Sequence, residues 1–172
     1  MLGSVEATRL LTMNGTVHTY RTTLEWEGST GVGYDAYDRT HSVGAPPASA
    51  TLTMASDPAF NGDPALLNPE LLIVMAASSC QLLAFLAVAA RARFDVVGYQ
   101  DAAEAVMPED DQPTRITRIV LRPTITVRAR NGVEPSRDRL GHLCEVAHRE
   151  CYVANSLRTE VVVEPTFTCR ES

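Results

Sequence analysis

Four cysteines hold most of the chemistry that this 172-residue chain could perform. Cys80 stands inside "NPELLIVMAASSCQLLAFLAVAA", an almost wholly apolar helical run broken by the polar patch "SSCQ". Polar groups in a buried helix cost stability unless they pair or line a pocket. One face of this helix should therefore border a cavity or a ligand, which makes Cys80 a candidate reactive thiol. Free cysteine also packs as a small hydrophobe, and that reading is kept for Cys144 and Cys169. Cys151 follows in "EVAHRECYVANSL". Cys144 and Cys151 share one helical face two turns apart, about 10.5 Å along the axis. That exceeds the roughly 7 Å Cα separation a disulfide tolerates. These two cannot pair with each other while the helix is intact, so a disulfide partner for Cys80 would be one of them.

Other chemistries lack their residues. His148 with Cys151 makes half a metal site, but His18, His41 and His142 are scattered, so no metal is expected. "GVGYDAY" has neither the lysine nor the glycine spacing of a phosphate loop, and no nucleophile elbow is present. No cofactor is expected. All fifteen basic residues are arginine, which excludes a lysine Schiff base, and the net charge of −6 argues against nucleic acid.

The elements that must position these thiols read as one domain spanning residues 1–172, with 1–15 as an N-terminal extension. Residues 16–27 alternate with Tyr20, Leu24 and Trp26 on one face, a half-buried strand. A long loop follows, with an extended piece near Tyr34 to His41, then a strand at 49–54. Asn68 is a helix N-cap, Pro69 suits the first turn and Glu70 complements the helix dipole. The helix should reach about Arg93. Residues 71–90 carry no charge and have the length of a membrane span, but the central polar cluster favours a fully buried core helix, with no membrane partner. A strand covers 94–107. Residues 115–130 form the clearest strand, with Ile119, Leu121, Ile125, Val127 and Ala129 on one side and Pro123 marking it as edge or bulged. A second helix spans about 136–151 with Ser136 as N-cap, and a last strand covers 158–168. The order of elements is α+β rather than doubly wound. "MLGSVEATRLLTMNG" has no apolar run after a basic start, so no signal peptide is read. The expected compartment is the cytoplasm, with reduced cysteines.

"NPELLIVMAASSCQLLAFLAVAA" followed by "AHRECYVANSL" resembles the OsmC/Ohr family of thiol peroxidases, in its OsmC-like branch. The upstream "LEWEGSTGVGYDAYDRTHSV" resembles that branch's arginine-bearing segment, and the order of elements agrees from about residue 16 to the end. "CYVANS" lacks the proline that Ohr members carry after the second cysteine. The resemblance implies an OsmC-like fold, with antiparallel sheets around a long buried central helix and a second helix, in an intertwined homodimer. It implies Cys80 as peroxidatic thiol, Cys151 as resolving thiol, and Glu70 and Arg39 as their polar partners. An organic hydroperoxide would be the substrate, and a dithiol of lipoyl or other type the reductant.

Physical chemistry adds a constraint. A peroxidase needs a thiolate, yet burial raises a cysteine pKa. Cys80 lies about 16 Å from its helix N-terminus, beyond the reach of the dipole. An arginine from another segment is required, and Arg39 is the candidate, with a carboxylate to hold it. Glu70 is about 15 Å from Cys80 along the same helix, so a second chain could close the gap. The rival reading is an OsmC-fold redox sensor or apolar-ligand-binding protein without fast peroxidase turnover.

Overall fold

In a computed structural model of the chain, which describes residues 16–129 and 132–171, the charge-free run forms α1, Pro69–Arg91. The N-terminal extension read at 1–15 lies outside the described residues. Asn68 Oδ1 accepts the Leu71 amide at 2.8 Å, while its own amide donates to Asp57 at 3.1 Å. The helix ends in a Schellman arrangement: the Arg93 amide donates to Ala90 O and the Phe94 amide to Ala89 O. Arg93 takes φ 64 there. Glycine is the usual occupant of such a position, since left-handed backbone costs an L-residue about 1–2 kcal/mol.

The expected full burial of α1 does not hold within one chain. Ala77, Gln81, Phe85, Val88 and Ala89 form one buried stripe. Leu71, Met75, Leu83 and Leu86 face outward, Leu83 at 64% exposure. By length and composition alone α1 could cross a membrane. Its buried stripe instead packs with α2, Arg137–Arg149, and with the sheet behind it.

That sheet contains β4 (Val96–Asp101), β7 (Pro123–Arg128) and β9 (Thr166–Arg170) in the order β4-β7-β9. A second sheet has β5 (Glu104–Val106), β6 (Arg118–Leu121) and β8 (Glu160–Val163) in the order β5-β6-β8. Both are mixed: β6 pairs parallel with β8, and β7 with β9. The strand expected at 115–130 is therefore two, and neither is an edge. Pro123 opens β7 where the chain passes from one sheet to the other, a place that needs no ladder donor. The alternation survives the break, since Ile119, Leu121, Pro123, Ile125 and Val127 are all buried. Arg122 ties the crossing points together. Its amide donates to Asp101 at 2.7 Å, and its guanidinium pairs with Glu104 at 3.1 Å and Glu164 at 3.2 Å.

A third sheet, antiparallel, joins β1 (Thr23–Glu25), β2 (His41–Gly44) and β3 (Thr51–Met54). The expected half-buried strand at 16–27 reduces to β1, and its apolar side is open: Tyr20 and Leu24 are exposed. Its alternation is real, but nothing among the described residues covers it. The fold is α+β, as the order of elements implied.

Candidate functional site

Cys80 sits at the middle of α1, half-buried, with the Val153 amide donating to its sulfur at 3.5 Å. Val153 belongs to α3, Tyr152–Ser156, whose N-cap is Cys151. The second helix thus ends two residues earlier than its apolar spacing suggested. The chain turns at Glu150, and the Asn155 side chain donates to Arg149 O at 2.9 Å, capping the end of α2. Cys151 is not on the face of α2 that carries Cys144, and the two-turn separation does not apply. The turn instead sets the buried Cys151 at the start of α3, two residues before the Val153 amide that donates to the Cys80 sulfur.

The thiols differ in environment. Burial pushes Cys151 from 9.0 up to about 11; the Ala154 amide opposes the rise and Cys80 adds to it. Cys144 is pushed up to about 12 by burial and then by Glu145. Cys144 packs with Phe85, Leu140 and Ala147 in the core. Its backbone carbonyl accepts the Gln81 side-chain amide at 3.4 Å. Cys169 lies half-buried on β9. All four cysteines are free.

The polar patch divides by direction. Ser78 and Ser79 line a cavity of about 470 Å³ with Leu71, Met75 and Tyr99. Ser78 also hydrogen-bonds Asp101. Gln81 faces α2, and Cys80 faces α3. A cavity bordering "SSCQ" was expected, but Cys80 is absent from its lining.

Arg39 and Glu70 come together elsewhere. They line a cavity of about 380 Å³ that also includes Trp26, Tyr37, His41 and Phe60. Arg39 donates to Tyr37 O at 2.9 Å and Tyr34 O at 2.6 Å. Its guanidinium lies 3.8 Å from the Tyr37 ring centre and 5.0 Å from that of Tyr34. Trp26 donates to Asp38 O at 2.8 Å and meets Tyr37 edge-on, which fixes the loop. Among the described residues no carboxylate pairs with Arg39. Backbone carbonyls and aromatic rings do the holding that the sequence reasoning assigned to a carboxylate. Cys80 does not line this cavity either. One chain therefore carries a thiol pair and a guanidinium–carboxylate cavity as separate places.

Sequence reasoning missed the Val153 amide and the tyrosine clamp. A backbone donor leaves no residue signature. The clamp did leave one, in the aromatics of "GYDAYDR". No cluster of metal-ligating side chains occurs among the described residues.

Comparison with known proteins gives a consistent answer. The family model described as OsmC-like protein matches residues 62–166. An OsmC-like protein of unknown function from Vibrio cholerae is 27% identical, with TM-score 0.77, covering 87% of this chain and 100% of its own. An organic hydroperoxide resistance protein from Elizabethkingia anophelis is 18% identical with TM-score 0.64, covering 90% and 99%. The organic hydroperoxide resistance protein OsmC from Legionella pneumophila is 15% identical with TM-score 0.63, covering 90% and 99%. At these last two identities the likeness concerns the fold. No curated protein matches the chain.

Proposed function

The chain belongs to the OsmC-like protein family, and from that premise we propose that it is a cysteine-based peroxidase that reduces organic hydroperoxides. The observation that supports this reading is that Cys80 faces α3, which Cys151 caps, while Cys144 is packed in the core with Phe85 and Leu140. The Cys80 thiolate attacks the terminal oxygen of R–O–OH. The O–O bond breaks, the alkoxide takes a proton and leaves as alcohol, and Cys80 becomes a sulfenic acid. The Cys151 sulfur then attacks the sulfenic sulfur, water departs and a Cys80–Cys151 disulfide remains. A dithiol reductant returns both to thiols by exchange. The raised Cys151 pKa suits this order: Cys151 stays protonated while Cys80 reacts, and loses the opposing Cys80 charge once Cys80 is oxidised.

In this reading Arg39 orients the peroxide and favours the thiolate, and Glu70 shares its cavity. Because that cavity excludes Cys80, the site is completed by a second copy of the chain, which makes the working form a homodimer. The outward faces of α1 and β1 support this, since Leu83, Leu86, Tyr20 and Leu24 would bury apolar area at about 25 cal/mol per Å². A cytoplasmic setting with its dithiol pools would supply the reductant.

A second reading has support in the same geometry. With its cation in another cavity, Cys80 of a single chain is a slow thiol, suited to a redox sensor or to a binder of apolar ligands. Stopped-flow mixing with cumene hydroperoxide separates the two. A peroxidase consumes it rapidly in the wild type and not in Cys80→Ser. Equal slow rates in both proteins would leave only the second reading.

A further inference from the structure

We propose that the cleft between the end of α1 and the start of α2 binds a small organic carboxylate, at a site apart from the thiols. The cleft measures about 700 Å³, within the size range of small-molecule sites. Arg93, Arg128 and Arg139 line it, in a chain whose net charge is −6. Two of these guanidiniums are held in place. Arg128 pairs with Asp95 at 3.2 Å, and Arg139 stands 5.1 Å over the Phe94 ring. Arg93 and Arg139 make no ion pair among the described residues, so their forks are open to an anion. Asp95 and Glu134 also line the cleft, so among the described residues its lining carries three positive and two negative groups. One carboxylate balances that surplus of one positive charge.

The body of the ligand is indicated by the remaining walls. Phe94, Val133 and Pro135 offer an apolar seat beside the arginines. Ser136 adds a neutral donor, because its hydroxyl makes no capping bond to α2. An arginine fork grips a carboxylate through two parallel N–H···O bonds, and a short apolar body would rest against Val133 and Pro135, beside the edge of Phe94. Arg91, the last residue of α1, is 11 residues beyond Cys80, about 16 Å along the helix, and Arg93 lies past it, so the cleft is not part of the thiol site. Arg93 also occupies a left-handed position where glycine is the favoured residue. Its cation suits the C-terminal end of α1, and a structural role of that kind is what the test must exclude.

The test is an NMR titration of the full chain with phenylacetate, read at the arginine Nε–H signals and the amides of residues 134 and 136–139. Phenethyl alcohol supplies the same body without charge, and acetate the charge without the body. Phenylacetate should give saturable shifts at Arg93, Arg128 and Arg139, and each control should bind much more weakly. Arg139→Gln and Arg93→Gly should each weaken binding about tenfold or more, the worth of one charge-assisted hydrogen bond. Arg93→Gly should do so without lowering the melting temperature, since glycine fits that backbone. The proposal is overturned by the absence of saturable shifts, by shifts confined to the outward face of α1, or by wild-type affinity in both variants. Loss of binding in Arg93→Gly that only tracks a fall in melting temperature, with Arg139→Gln unaffected, would also overturn it.

Discussion

The thiol pair and the arginine cavity are built in opposite ways. Cys80 and Cys151 are placed by buried helix packing, with Cys151 at 1% exposure. Arg39 is placed by an exposed loop, held by two carbonyls and two tyrosine rings. The first is set in packed helices and, among the described residues, has no cation paired with it. The second has its cation pre-oriented and lacks a thiol. Each supplies what the other needs, and the 15 Å of helix between Glu70 and Cys80 keeps them apart on one chain. A core can fix a nucleophile closely, but among the described residues it sets only the Val153 amide, and no guanidinium, on the Cys80 sulfur. A surface loop carries the charge instead.

Variants on the two sides should separate accordingly. Cys80→Ser should lower peroxide turnover by a factor on the order of 10⁴ or more, with no sulfenic-acid probe incorporated. Arg39→Gln should reduce kcat/KM by about 10²–10³ while costing stability only the loop contacts it gives up, about 1–2 kcal/mol. Equal losses of stability on the two sides would break the contrast between core-built and loop-built halves. Cys151→Ser should keep the first turnover and lose the later ones. Its Cys80 sulfenic acid should persist long enough to trap, and a Cys80–Cys144 disulfide seen by peptide mapping would contradict the assigned partner.

How much of this could be read beforehand varies by element. The start of α1 was legible because Asn68, Pro69 and Glu70 each have a local reason to be there. Its buried stripe was not, because a run that is apolar all round has no phase. The break between α2 and α3 was hidden for a related reason. Leu140, Cys144, Ala147 and Cys151 keep helical spacing straight through it, and the turn is closed by Asn155 from beyond. The β6–β7 crossing was masked by an unbroken alternation, with Pro123 as its sole local mark. Cys80, Cys151, Arg39 and Glu70 were all singled out. Their division into two places follows from tertiary geometry, which no local pattern records.

Core and loop should also differ in pH response. Cys151 and Cys144 have folded-state pKa values raised from 9.0 to about 11 and about 12 by burial. Between those values the folded chain holds protons that the unfolded chain has lost, so stability falls as pH rises. The contribution of these thiols is fully present below about pH 9 and is lost as pH passes through 11 and 12. Urea titrations at stepped pH should show this slope reduced in Cys144→Ala, measured against that variant's own stability at pH 8. A slope identical to that of the wild type would show that Cys144 titrates as it does in the unfolded chain.

The account depends most on the two places joining across chains. The direct measurement is activity in a verified heterodimer of a Cys80→Ser chain and an Arg39→Gln chain. If the site is shared, one of its two sites is doubly damaged and the other is intact, so mixing two nearly inactive parents should restore about half of wild-type turnover per dimer. Activity no higher than that of the parents, or a chain that stays monomeric at micromolar concentration, would contradict the shared site.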